Sequence, residues 1–234
     1  MTINEFIDSL KELNIEITQD QLNQLELYYK LLVEWNNKIN LTGIIEHNEV
    51  YLKHFYDSLT ICRNIDLNKI DTIADIGTGA GFPGMVIKIV FPNIKVDLID
   101  SLGKRITFLK EVANKLNLEN INIINARAEE YALIEREKYD IVTARAVAPL
   151  NILLEYCIPL VKINGFFIPL KANCDEEIKN IKNSLNILDC KIDLIDKFKL
   201  PIENSTRTII KFLKLEITNK KYPRKYNEIK KNPL

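Results

Sequence analysis

Apolar residues at Ile3, Phe6, Ile7, Leu10 and Leu13 recur at three- and four-residue intervals, which places them along one face of a helix. Thr2, with Glu5 three positions on, gives that helix a capping-box start. Thr18 and Gln21 repeat the signature. They open a longer predicted helix whose buried stripe is Leu22, Leu25, Tyr28, Leu32, Trp35 and Ile39, broken at Leu41 to Gly43. A third helix is predicted from about Glu49 to Cys62.

The period then changes. Short β-branched runs predict strands at Thr72–Ile76, Lys95–Ile99, Ile121–Asn125, Asp140–Ala144 and Gly165–Leu170, with two more near Lys191–Asp196 and Arg207–Leu213. Helical stretches fall between them, over about Pro83–Val90, Lys104–Leu116, Leu150–Leu160 and Asp175–Leu188. Strands alternating with helices predict an α/β protein with a doubly wound, Rossmann-like sheet, here behind an N-terminal helical region.

Composition adds constraints. With 47% apolar residues in 234, the chain can bury a substantial core, so one large domain with appendages is expected. No apolar run reaches the roughly 18 residues of a membrane span, and no charged-then-apolar leader opens the chain. Cys62, Cys157, Cys174 and Cys190 show no CxxC spacing, and only His47 and His54 could join them. No metal site is expected, and four free thiols suit a cytoplasmic protein. The total charge is zero but unevenly distributed. From Lys197 to Leu234 there are eleven basic residues against three acids, which leaves eight net negative charges on the first 196. A basic end on an acidic body points to a polyanion partner.

The candidate chemistry sits in "ADIGTGAGFPG", where four of the seven glycines occupy eight positions straight after the first strand. In a doubly wound sheet the ligand crevice lies beyond the carboxyl ends of the strands, and the first strand-to-helix turn uses glycine where the backbone tightens or touches a ligand. Gly77, Gly79 and Gly81 occupy that turn, and Asp100 ends the second strand, where a carboxylate commonly accepts from ribose hydroxyls. Gly79, Gly81 and Gly84 also satisfy GxGxxG, the dinucleotide pattern, although Pro83 removes one amide that a pyrophosphate would use. S-adenosylmethionine carries no phosphate. Its cationic centre suits a site bordered by Asp75, Asp100 and Glu129, so both ligand classes remain open from the residues alone.

Seven segments taken in order, "WNNKINLTGI", "HFYDSL", "DIGTGAGFPG", "DSLGKRITFL", "RAEEY", "VTARAVAPL" and "YPRK", resemble the bacterial 16S rRNA guanine-N7 methyltransferases called RsmG or GidB, over nearly the whole chain. The resemblance implies a class I methyltransferase fold, mostly parallel with one antiparallel strand. It divides the chain into a helical extension over residues 1–64, an S-adenosylmethionine-binding domain over 65–216 and a basic C-terminal tail over 217–234. It further implies S-adenosylmethionine as donor, a guanosine of the decoding region as acceptor, the 30S subunit as partner, and a monomer. Carried over by position, cofactor contacts fall on Gly77, Gly79, Gly81 and Phe82, on Asp100, Ser101 and Leu102, on Ala128 and Glu129 beside the adenine, and on Arg145, with Phe82 and Arg145 also as positioning candidates. Arg127, Lys171, Lys220, Lys221, Arg224 and Lys225 are the RNA-binding candidates, the tail interleaving them with Tyr222 and Tyr226. Trp35, Asn36, Asn40, Thr42, His54, Asp57 and Ser58 also match the family's signature. We read Trp35 as packing and Asn40 and Thr42 as caps, and leave His54 outside the site.

Guanine N7 presents an in-plane lone pair and no proton, so its methylation requires alignment and charge management, with no obligatory general base. Accordingly, no residue is assigned as a catalytic acid or base. Two other classes stay in view: an NAD-dependent oxidoreductase, and a non-catalytic ribosome-binding protein that retains the fold.

Overall fold

The computed structural model describes all residues, Met1–Leu234. Both capping boxes form. The Thr2 and Thr18 hydroxyls accept from the Glu5 and Gln21 amides, and those side chains reach back to the cap backbone, opening α1 (Ile3–Glu12) and α2 (Gln19–Ile39). Phe6 and Leu10 of α1, and Leu25, Tyr28, Leu31 and Leu32 of α2, are buried, at about 1.5–3 kcal/mol for each large apolar side chain. Asn36 Oδ1 accepts from the amides of Leu41 and Thr42 and so holds the break after α2.

The third predicted helix is real but not regular. It starts as α3 (His47–Val50), widens into a π-helical turn over Tyr51–Tyr56, continues as α4 (Asp57–Leu59) and tightens to 3₁₀ over Thr60–Arg63. A widened turn rotates the side chains that follow it, and it carries His54 into the same cluster as Asp57.

Seven strands form one sheet: β1 (Thr72–Ile76), β2 (Lys95–Asp100), β3 (Ile121–Asn125), β4 (Tyr139–Arg145), β5 (Val161–Lys171), β6 (Cys190–Lys199) and β7 (Thr206–Lys214), in the order β3-β2-β1-β4-β5-β7-β6. All pairs are parallel except those of β7, which runs antiparallel to both neighbours. The crossovers carry α5 (Gly84–Val90), α6 (Gly103–Lys115), α7 (Ala128–Ile134), α8 (Leu150–Cys157), α9 (Asp175–Lys179) and α10 (Lys182–Ile187), and α11 (Tyr226–Lys231) closes the chain. The stretch predicted as one helix from Asp175 is two, because Asn180 and Ile181 leave helical geometry between α9 and α10.

Each face of the sheet has its own apolar layer, since alternate residues of a buried strand point to opposite faces. Ile73 packs with α1, α2, α5 and α6, whereas Ala74 and Ile76 pack with α8 and α11. Residues 1–64 therefore share the core of one sheet face. The C-terminal segment is also folded: Tyr222 and Ile229 are buried, Arg136 donates to the carbonyls of Thr218 and Tyr222, and Arg224 makes a two-pronged ion pair with Glu155, which is 0% exposed.

Candidate active site

β1 and β4 adjoin, but the chain moves outward from β1 to β2 and β3 before returning to β4. That reversal splays the connections at the carboxyl ends and opens a crevice there. A cleft of about 340 Å³ lies at this place, lined by Ile76 and Gly77 after β1, Asp100 to Leu102 after β2, Ala126 to Glu129 after β3, Ala146 and Val147 after β4, and by Arg105, Tyr156 and Tyr226. A larger hollow of about 910 Å³ borders the β3 edge along Ile121 to Ile124, away from the glycine turn.

The glycine turn divides its work. Gly77, at φ +66°, lies on the cleft wall, and a Cβ there would stand 2.6 Å from a Val147 methyl. The Gly79 amide donates to the Asp100 carboxylate at 3.0 Å. Gly81 faces away from the cleft: the Tyr28 hydroxyl of α2 donates to the Ala80 carbonyl and would meet a Gly81 Cβ at 2.6 Å. Gly84 lets α5 approach the sheet, its Cβ position lying 2.3 Å from Leu98 Cδ2 and 2.9 Å from the Asp75 side chain.

Two carboxylates organise this end of the sheet. Asp75 Oδ2 accepts from the Thr78 hydroxyl at 2.7 Å and the Gly84 amide at 2.8 Å, which fixes both ends of the turn. Its Oδ1 is buried without a partner. Burial pushes the Asp75 carboxyl up to about 6, against the two hydrogen bonds and the Arg145 charge, which favour the ionised form. Asp100, 3% exposed, accepts from the Gly79 and Leu102 amides and from Arg105 at 3.1 Å. Those donors orient it at the cleft wall, and a carboxylate has about four acceptor positions, so capacity remains for ribose hydroxyls. Ala128 and Glu129 open α7, with Glu129 6% exposed and lining the cleft.

Gly77, Asp100, Ser101, Leu102, Ala128 and Glu129 thus meet in one cleft. Phe82 and Arg145 do not line it. The Phe82 ring is 4% exposed and stacks on His54 at 4.4 Å, near Tyr28 and Phe55, with the Arg145 guanidinium 5.1 Å from its centre. Arg145 donates to Asp57, to the Lys53 carbonyl and to His54 Nδ1. Because Arg145 donates, His54 Nδ1 accepts, and Nε2–H is left to donate to Thr42 Oγ1 at 2.9 Å. Burial first, and Arg145 second, push the His54 pKa down to about 3, which keeps the imidazole neutral. Asp57 also accepts from Arg207 of β7 at 2.9 Å, tying together segments 150 residues apart.

The basic candidates separate as well. Arg127 lines the cleft with its guanidinium 4.7 Å from the Tyr226 ring. Lys171 pairs with Glu177 and donates to the Ala148 carbonyl, and Arg224 is held by Glu155. Lys220, Lys221 and Lys225 are exposed and make no ion pair. Sequence reasoning missed Arg105, Asp57 with Arg207, and Tyr226 as a wall of the cleft. Only Arg105 carried a local signal, since it follows Asp100 within the first turn of α6.

Fold and cleft together define a doubly wound α/β protein with a ligand cleft at the switch point of its sheet, the architecture of the S-adenosylmethionine-dependent methyltransferases that superpose on it. A SAM-dependent methyltransferase from Aquifex aeolicus superposes with a TM-score of 0.53 at 17% identity, covering 72% of this chain and 94% of that one. The M. jannaschii TYW2 structure in complex with AdoMet superposes at 0.52 and 17%, covering 63% and 71%. The family model described as GidB, rRNA small subunit methyltransferase G, matches residues 21–206, and the chain belongs to that family. Ribosomal RNA small subunit methyltransferase G of Bacillus subtilis (strain 168) is 51% identical over all of this chain and 99% of its own length, and that of Lysinibacillus sphaericus is 47% identical over the whole of both. These relatives lend no support to an oxidoreductase or to a non-catalytic ribosome partner.

Proposed function

We propose that the protein transfers the methyl group of S-adenosylmethionine to N7 of a guanosine in the decoding region of 16S rRNA, acting on the 30S subunit in the cytoplasm. The observation that carries this reading is the cleft at the ends of β1, β2 and β3, with the oriented Asp100 carboxylate on its wall, in a chain of this family. Bound there, S-adenosylmethionine supplies a methyl group activated by its sulfonium. Gly77 brings bare main chain against it, Asp100 accepts from its ribose, and the Ala128 amide and Glu129 carboxylate read the adenine edge. Asp75 holds the turn in shape and contributes negative charge beneath it.

Since N7 has no proton to remove, the protein's task is to align the base in a dry, acid-bordered site. Phe82 and Arg145 act as positioning residues. They join the turn to the helical layer through His54, Tyr28 and Asp57. Lys220, Lys221 and Lys225 offer exposed charge to RNA phosphates.

The test uses tritiated donor and 30S subunits from a strain that lacks the modification, followed by mapping of the label. Label at N7 of a single decoding-region guanosine is the expected result. Absence of transfer, or label elsewhere, would overturn the proposal.

A further inference from the structure

The family model stops at residue 206, yet the chain returns to the cleft after that point. Tyr226, the first residue of α11, lines the cleft beside Arg127, Ala128, Glu129 and Tyr156. We infer that the C-terminal segment is part of the cofactor seat, with the Tyr226 ring forming the wall against which the adenine of S-adenosylmethionine packs.

Three observations carry this inference. The first is location. Asp100, the ribose acceptor, stands between the Gly77 turn and the β3 end, so a nucleoside held by Asp100 points its base towards Ala128 and Glu129, where Tyr226 is found. The second is exposure. Of the fourteen large apolar side chains left open on the molecule, Leu102, Val147 and Tyr226, at 52%, 38% and 38%, border this one cleft. Three uncovered apolar faces around a single concavity suit a ligand with a flat apolar body.

The third is anchoring. Tyr226 is set in place by buried contacts that have no need of RNA: Arg224 on Glu155 of α8, Ile229 at 0% exposure, and Tyr222 whose carbonyl accepts from Arg136. Arg127, which lines the same cleft, holds its guanidinium 4.7 Å from the ring centroid, and the Lys230 ammonium stands 5.9 Å from it. Aromatic rings stack on bases, and an Arg–Tyr pair at a cleft wall can move together to admit a nucleoside. The segment that reads as a basic RNA tail therefore has a second role: its lysines face solvent while its aromatic faces the cofactor.

The inference rests on the S-adenosylmethionine reading above, and calorimetry separates the two. S-adenosylmethionine and S-adenosylhomocysteine are titrated into the full-length protein and into Tyr226→Ala and Tyr226→Phe. Wild type binds both, Tyr226→Ala weakens both about tenfold or more, and Tyr226→Phe, which keeps the ring, binds as wild type does. Unliganded melting temperatures of the three proteins should agree, since the side chain is open to the cleft. Failure of wild type to bind either ligand would remove the underlying reading. Wild-type affinity in Tyr226→Ala would overturn this inference alone, as would a rise in KM for 30S subunits with cofactor affinity unchanged, which would assign the ring to RNA.

Discussion

Replacing Asp75 by Asn tests the electrostatics beneath the glycine turn. Asp75 is 0% exposed and has an unpartnered Oδ1, and its carboxyl is raised from 3.8 to about 6, chiefly by burial. A folded-state value above the unfolded one means that the folded protein holds this proton more tightly. The group's contribution is therefore fully present below about pH 4 and is lost as pH rises through about 6. The full span corresponds to about 3 kcal/mol, of which roughly half falls between pH 5 and pH 8. Asn keeps an oxygen for the Thr78 hydroxyl and the Gly84 amide but never ionises.

Asp140 and Asp196, whose carboxyls are held low, drive stability the opposite way with pH, so the informative quantity is the difference between variant and wild type. Urea unfolding of the unliganded proteins should show Asp75→Asn gaining on the order of 1 kcal/mol on wild type between pH 5 and pH 8. A difference independent of pH, or one that shrinks towards pH 8, would refute the reasoning. A cationic ligand above the turn favours ionised Asp75, so wild-type affinity for S-adenosylmethionine should fall below pH 6 and that of the Asn variant should fall less.

Three further outcomes are expected. Gly84→Ala places a Cβ 2.3 Å from Leu98 and 2.9 Å from Asp75, so α5 must lift and the turn with it: stability should drop by about 1–3 kcal/mol and calorimetric cofactor affinity should fall as well. Arg224→Ala leaves the Glu155 carboxylate buried without its partner and should cost about 3–5 kcal/mol in urea unfolding, which makes this arginine a poor reporter of RNA contact. Charge reversal at Lys220, Lys221 and Lys225 should leave melting unchanged while lowering the slope of log K for RNA against log salt by about 2 to 3, whereas an unchanged slope would release all three from the interface.

The sheet was legible because its buried strands are β-branched runs separated by turn residues, and the five parallel strands begin and end within a few residues of expectation. The two capping boxes marked the starts of α1 and α2 for the same reason: their chemistry is local. Six of the candidate cofactor positions meet in one cleft, because a strand-turn-helix unit delivers its turn to one edge of the sheet whatever surrounds it.

What escaped was non-local. Nothing in the spacing of Asp57, Arg145 and Arg207 signals that one carboxylate holds two arginines from different strands. Without that pair, Arg145 looks free to enter the cleft. The helices α7 and α11 lie outside the predicted elements, because at seven and six residues each is too short to show a helical period. The placement of α11 rests on Glu155, whose burial a run of basic residues does not disclose. Trp35 was read as packing and is half-buried against the core, 5.8 Å from Phe108.

The central claim is that the Asp100 cleft seats a sulfonium nucleoside. Its most direct test is calorimetric titration of S-adenosylmethionine and of NAD into wild type and Asp100→Ala. Wild type should bind the methyl donor and not the dinucleotide, and Asp100→Ala should lose about ten- to a hundredfold in affinity for the donor, as expected when a hydrogen bond to a charged group is removed. Equal affinity of the two proteins for the donor, or binding of NAD alone, would contradict the account.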